Sequence, residues 1–220
     1  MRILIIGAGK VGSSVAGNLV SESNDITIVD TNKAKIAEIQ SNYDLQGIVG
    51  DATSPSVLAD AGAVDADMII AVTANDETNL AVTLIAEQLF NVPSRIARVR
   101  NDELREYPAL LSTSGFRATS VIWPEEAITN YIVQLITYPE ALQVIEFSDG
   151  DVVLMSVKIV SSSKMCGRPV SALQDELPRV KVQIVSIYRQ KYRLDDIDGK
   201  TVLEAGDEIF FLTTKTCAHA

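Results

Sequence analysis

Histidine and cysteine are nearly missing from this 220-residue chain, which has one His and two Cys. The single histidine, His219, sits at the penultimate position, where a general acid or base would be poorly held because chain ends lack the packing that fixes a side chain. Cys166 and Cys217 stand far apart, with neither C-x-x-C nor metal-ligand spacing. That argues against a disulfide scaffold and a thiolate zinc site and leaves two structural thiols. The chain also lacks a Tyr-x-x-x-Lys pair, a G-x-S-x-G elbow and a paired Cys and His. No apolar stretch approaches the roughly 18 residues needed to cross a bilayer. The short run after Met1-Arg2 breaks at Gly7 and Lys10, too soon for a signal peptide, so a cytosolic protein is expected. Positive charge is scarce too. A net charge of −10 argues against a general nucleic-acid binder, which needs clustered cations to displace counterions from phosphates.

What is present is a dense N-terminal signal. An apolar run, Ile3 to Ile6, enters Gly7-Ala8-Gly9-Lys10-Val11-Gly12, and a second run, Ile26 to Val29, ends in Asp30, 18 residues after Gly12. Strand, G-x-G-x-x-G, helix, strand and acid in that order form the dinucleotide-binding fingerprint. Gly7 permits the tight turn out of the strand, Gly9 lets a pyrophosphate approach the backbone at a helix N-terminus, and Gly12 lets the helix lie close on the strand. A carboxylate at Asp30 can accept both hydroxyls of a ribose. A 2′-phosphate there would meet like charge, a repulsion of about 1 to 4 kcal/mol, so NAD(H) is favoured over NADP(H), with Lys33 and Lys35 as a partial offset.

From Arg2 to about Ile122, short apolar strands alternate with helical segments, the pattern of an α/β doubly wound parallel sheet of Rossmann type. Six strands are expected: 2–6, 26–30, 46–49, 68–72, 95–100 and 118–122. After Trp123-Pro124, an amphipathic helix carries Ala127, Ile128, Tyr131, Ile132, Leu135 and Ile136 on one face. That face either covers the sheet or packs on a second subunit. From Leu142 the pattern changes to short alternating strands at 142–147, 152–160, 181–188 and 208–212, with a hairpin turn at Ser148 to Asp151 and a short helix after Pro169. This reads as a second, smaller α+β domain. The expected organisation is 1–123, a connecting helix at 124–140, and 141–220.

Other residues could contact a ligand. Asp51, after the third strand, either bonds an adenine amino group or caps the helix ahead of Pro55. Thr73 and Ala74, after the fourth, are small enough to admit a ligand, while Asn75 or Asp76 can cap the next helix. Arg98 and Arg100, two apart in a strand, should share a face, where they either bind phosphate or pair with acids at a solvated strand end.

The series GAGKVG, ITIVD, GDATSPSVLADAG, DADMIIAVTANDETN and RIARVRN, followed by DGDVVL, GRPVSAL and EAGDEIFFL, resembles the RCK (regulator of potassium conductance) or KTN family. Within it the chain is most similar to the TrkA-like cytosolic subunits of Trk-type potassium uptake systems, over nearly its whole length. The resemblance implies a non-enzymatic regulatory subunit, cytoplasmic and peripheral on the inner face of the membrane. It would bind NAD(H) or ATP/ADP and act as a homo-oligomeric ring docked on a potassium transporter subunit. It also implies that Gly7, Ala8, Gly9, Lys10, Val11 and Gly12 bind phosphate and Asp30 the ribose. Asp51 and Ala52 would border the adenine, Thr73 and Ala74 would line the loop beside the phosphates or distal ribose, and Arg98 with Arg100 would reach the phosphates. It favours a dimerising role for the helix after Pro124. Members often carry two tandem copies of this two-domain unit, where this chain carries one. The alternatives are an NAD-dependent oxidoreductase, for which a base and a substrate pocket are lacking, and a Rossmann-type redox repressor, for which a basic DNA-binding helix is lacking.

Overall fold

The apolar run at the N-terminus becomes the central strand β1 (Arg2–Ile6), buried at every position after Arg2. The computed structural model describes residues 1–20, 24–112, 114–147, 151–176 and 181–217, with the side chains of Gln174 and Glu176 left aside. His219 and the turn positions Ser148 to Gly150 lie outside the described residues. The chain divides into two units, Met1–Ile128 and Thr129–Ala220.

In the first unit β1 is followed by α1 (Lys10–Val20), β2 (Asp25–Asp30), α2 (Lys33–Asn42), β3 (Gln46–Val49), α3 (Pro55–Asp60), β4 (Met68–Ala71), α4 (Asp76–Phe90), β5 (Ser94–Arg98), α5 (Pro108–Leu111) and β6 (Ser120–Ile122). The strands form one parallel sheet in the order β3-β2-β1-β4-β5-β6. Alternation along β1 feeds two cores. Ile3 and Ile5 join Ala16, Ile36 and Ile39 of α1 and α2 on one face, while Leu4 and Ile6 join Leu58, Val82 and Ala86 of α3 and α4 on the other. Each fully buried isoleucine or leucine contributes about 1.5–3 kcal/mol, so the sheet centre is the stable frame on which the loops sit. The chain order reverses between β1 and β4, which opens a crevice at their C-terminal ends.

Several boundaries differ from the sequence reading. β5 stops at Arg98, so Arg100 leaves the strand. The cause is Asp76, whose Oδ2 accepts from the backbone N–H of both Arg100 and Asn101 at 2.8 Å, drawing the chain off the sheet. The sixth strand begins at Ser120 rather than Ala118. The helix after Trp123, α6 (Pro124–Thr137), buries none of its residues. Ile128, Tyr131, Ile132, Leu135 and Ile136 all stand exposed on it.

The second unit contains β7 (Ala141–Phe147), β8 (Val152–Lys158), α7 (Ala172–Glu176), β9 (Gln183–Arg189), β10 (Tyr192–Arg193) and β11 (Glu208–Thr214). They form an antiparallel sheet ordered β10-β9-β11-β8-β7. Its core gathers Ile159, Met165, Ala172, Ile187, Leu203 and Ile209. β10 is absent from the sequence reading because its hairpin turn, Gln190-Lys191, has φ of 52° and 71° without any glycine or asparagine to announce it. The turn before β11 is fastened by buried Asp207. Its two carboxylate oxygens accept from Arg189 Nε and Nη2, each at 2.8 Å, and Arg189 Nη1 reaches Glu204 at 2.6 Å.

Candidate functional site

At the crevice between β1 and β4 lies a cleft of about 650 Å³, lined by Gly7, Gly9, Lys10, Val11, Asp30, Asp51, Ala52, Thr73, Ala74 and Arg98 among others. Ten of the thirteen predicted site residues thus meet in one place. The exceptions are Ala8, Gly12 and Arg100, which do not line it.

The glycines hold the loop in place for separate reasons. Gly7 has φ of 103° and sits so close to the next loop that a Cβ would meet Thr73 Cα at 3.1 Å. Gly12 faces back onto the loop itself: a Cβ there would fall 1.8 Å from the Gly7 carbonyl oxygen, and 3.5 Å from Ile5 of β1. A Cβ on Gly9 would meet nothing within 4 Å. That is free space beside the N-terminus of α1, whose first N–H groups have no partner within the helix and suit an anion.

Asp30, at the end of β2, is half-buried. Its Oδ2 accepts from Ala8 N at 2.7 Å and its Oδ1 from Asn32 N at 2.8 Å. Each oxygen keeps acceptor capacity, because a carboxylate has about four lone-pair sites. Ala8 therefore contributes to the loop by bonding Asp30 rather than by lining the cleft.

Asp51 does not cap α3, whose N-cap residue is Ser54. Its Oδ1 instead accepts from Thr53 N at 2.9 Å and Thr53 Oγ1 at 2.8 Å. The Thr53 N–H, reinforced by the Thr53 hydroxyl, holds the Asp51 carboxyl below the usual carboxylate range. An ionised acceptor therefore stands on the cleft rim beside buried Ala52.

The opposite wall is built by the loop after β4. Asn75 caps α4, its side chain accepting from Thr78 N at 2.6 Å. Arg98 and Arg100 separate here. Arg98 lines the cleft, and its Nε is buried with no hydrogen-bond partner, although a buried polar group ordinarily has one. Arg100 is exposed and its guanidinium donates to the Ala74 carbonyl. It thus braces the loop instead of facing the cleft.

Sequence reading missed the role of Asn79. Fully buried on α4, it bonds both the Thr73 loop and the end of β5. A polar residue on the buried stripe of a helix is the signal that could have found it. Lys35 and Thr78 also line the cleft. A second hollow, about 780 Å³, lies at the other end of β1 and β2, where Arg2, Asp25 and Asp44 line it. It contains none of the predicted site residues.

The cleft combines groups that suit a polar, anionic ligand. It offers open backbone at Gly9, carboxylate acceptors at Asp30 and Asp51, and the cation of Arg98. Among the described residues no His, Cys or Tyr lines it.

Comparison with known proteins agrees with this geometry. The TrkA-N domain model matches residues 3–124 and the TrkA-C domain model residues 154–216. The Trk system potassium uptake protein TrkA of Vibrio alginolyticus is 45% identical over 213 residues, which is 96% of this chain and 46% of that protein. The chain thus spans about half the length of that relative. A TrkA homolog of Methanothermobacter thermautotrophicus is 31% identical over 188 residues, 86% of this chain and 82% of the homolog. Among solved structures, the GsuK channel bound to NAD superposes with a TM-score of 0.65 at 19% identity, over 99% of this chain and 38% of the channel chain. GsuK bound to ADP superposes with a TM-score of 0.52 at 21% identity, over 63% of this chain and 35% of that one.

Proposed function

The chain belongs to the TrkA family of potassium uptake proteins, and from that premise we propose that it is a nucleotide-sensing regulatory subunit of a potassium uptake transporter. In this reading NAD(H) and ATP/ADP share the cleft at the β1/β4 crevice, and occupancy controls potassium flux through a Trk-type membrane partner. The family is non-enzymatic, which fits a cleft with no histidine, cysteine or tyrosine to do proton chemistry.

The observation that carries the proposal is that Arg98, a cation whose buried Nε has no hydrogen-bond partner, lines the same cleft as the open backbone at Gly9. A guanidinium on the wall of such a cleft suits phosphate oxygen. The loop from Gly7 to Gly12 would cradle phosphates, Asp30 would take a ribose, Asp51 and Ala52 would border the adenine, and Thr73 with Ala74 would pass beside the phosphates or distal ribose. Arg100 would act by bracing Ala74.

Regulation requires two arrangements that bind the ligands unequally, since equal affinity shifts no population. NADH, with a second ribose, and ATP, with a terminal phosphate, differ in what they present to Arg98 and Thr73. Copies of the chain would assemble through the exposed apolar face of α6 into a ring on the cytoplasmic side of the transporter. Among the described residues no helix is long and apolar enough to cross a membrane, so contact with the bilayer would come through the partner.

The test is calorimetric titration with NADH, NAD, NADPH, ATP and ADP, repeated on Asp30→Ala. Competitive binding of NADH and ATP at one site, weakened in the variant, is the expected result. Binding of NADPH alone would overturn the reading of Asp30 and favour an oxidoreductase.

A further inference from the structure

Asn79 spends its whole amide on one wall of the cleft. It lies in the first turns of α4, 0% exposed. Its Oδ1 accepts from Thr73 N at 2.9 Å and from Thr73 Oγ1 at 2.7 Å. Its Nδ2 donates to Thr73 O at 3.3 Å and to Arg98 O at 2.8 Å. The Thr73 hydroxyl oxygen also accepts from Asn75 N at 3.2 Å, so the bonds run from the end of β5 through Asn79 into the loop after β4.

Asparagine is a poor choice for a buried helical position on packing grounds alone. It has lower helix propensity than leucine, and its amide must be desolvated. What it supplies is a planar group with an acceptor at one end and a donor at the other. Aspartate would turn an oxygen toward two carbonyls. Serine is too short to bond both segments. Leucine would leave the Thr73 N–H without its partner.

The two segments joined this way both border the cleft. Thr73 and Arg98 both line the cleft, and the Arg98 backbone carbonyl held by Asn79 belongs to the residue whose Nε is unpartnered. We propose that Asn79 is the positioning residue of the nucleotide site. By locking the Thr73 loop and the Arg98 strand end into one hydrogen-bonded unit, it fixes the spacing of the phosphate-facing groups before ligand arrives. Asn79 does not touch ligand; it acts through Thr73 and Arg98. The inference rests on the nucleotide reading of this cleft.

A double-mutant cycle on the 220-residue chain tests it, with ADP as the probe and calorimetric affinity as the readout. The variants are Asn79→Ser, Arg98→Met and the pair. Thr83→Val serves as a control: Thr83 is also fully buried on α4, and its hydroxyl bonds Leu80 O and Phe116 O at 2.8 Å each without lining the cleft. Measured where thermal melts show each protein folded, Asn79→Ser should weaken ADP at least about tenfold, the scale of one charge-assisted contact, with Thr83→Val close to wild type. With Arg98 already removed, the same Asn79 change should cost about threefold or less, because residues acting as one unit are not additive.

Equal losses in both Arg98 backgrounds, or full ADP affinity in folded Asn79→Ser, would overturn the proposal and leave the nucleotide reading intact. Failure of the wild-type chain to bind ADP or NADH would remove the nucleotide reading and the proposal together. If Asn79→Ser does not fold, amide exchange in the wild type decides: Thr73 N–H should be protected without ligand, and exchange at the rate of an open loop would overturn the proposal.

Discussion

Asp30 and Ala8 are 22 positions apart, yet the Asp30 carboxylate accepts a 2.7 Å hydrogen bond from the Ala8 amide. The acid expected to read a ribose therefore also holds the glycine loop in shape. Its other oxygen bonds Asn32 N at 2.8 Å.

Asp30→Ala removes both bonds. It should lower stability by about 1–3 kcal/mol, the cost of leaving the part-buried Ala8 N–H without its acceptor, since the exposed Asn32 N–H can turn to water. It should also weaken NADH at least about tenfold and narrow the gap between NADH and NADPH, because the charge that repels a 2′-phosphate is gone. Thermal melts and titrations on the same samples separate the two effects. A variant with lower stability but unchanged preference for NADH would show that Asp30 serves the loop alone.

The three glycines of the fingerprint should fail differently. Gly12→Ala places a methyl 1.8 Å from the Gly7 carbonyl oxygen, an overlap that backbone must move to relieve. A cost of about 3 kcal/mol or more is expected, at the upper end for overpacking. Gly9→Ala meets nothing within 4 Å. Its stability should stay within about 1 kcal/mol of wild type, while affinity for ADP and NADH falls because the methyl occupies the space the phosphates would enter. Equal destabilisation by both substitutions, read from urea melts, would contradict the distinct roles drawn for them.

Most of the first unit was legible because β1 to β4 are short, largely apolar runs entered or left at glycine, asparagine or aspartate, and because the glycines and Asp30 sit at spacings the fold fixes. The pleat rule placed Arg98 and Arg100 on one face, but it holds only while the strand lasts. Asp76, 24 positions earlier than Arg100, ends the strand by taking two backbone N–H groups. No local pattern announces such a bond. Asn79 escaped partly for the same reason, since its bond to the Arg98 carbonyl joins segments that meet only in the folded sheet, although its place on the buried stripe of α4 was a readable signal. Asp51 was open between two roles, and Thr53 provides a third, an Asx-type turn. In the second unit the alternation was readable, whereas the Gln190-Lys191 hairpin has none of the residues that usually mark a turn with φ above zero.

The apolar face of α6 yields a prediction about assembly. Ile132 is 49% exposed and Ile136 is 75% exposed, one turn apart on a helix with no buried residue. Ile132→Asp combined with Ile136→Asp should convert a self-associated chain to monomer in sedimentation velocity, with the melting temperature of the first unit unchanged. If the wild type sediments as a monomer, or the double variant keeps its association, α6 is not the contact between copies.

Acid stability should be set in part by Asp207. Burial alone would push its carboxyl up, but the Arg189 hydrogen bonds, the Glu204 N–H and the Arg189 charge outweigh burial and hold it below 3.8, the ordinary value. The pairing is reciprocal, since Asp207 raises Arg189. For a carboxylate depressed in the folded state, the stability it confers is fully present above its unfolded pKa and is lost as pH falls through the folded one. The second unit should therefore keep its full stability from neutral pH to about pH 5 and lose the Asp207 contribution progressively below about pH 4. Asp207→Asn should cost about 3 kcal/mol at pH 7, the lower end for breaking a buried pair while its partner remains. The cost should shrink toward zero as the wild-type carboxyl protonates, so the two stability curves converge at low pH. Denaturant melts from pH 7 to pH 2.5 read this directly. A constant difference between the curves over that range would show that packing, rather than the ionised pair with Arg189, holds the turn before β11.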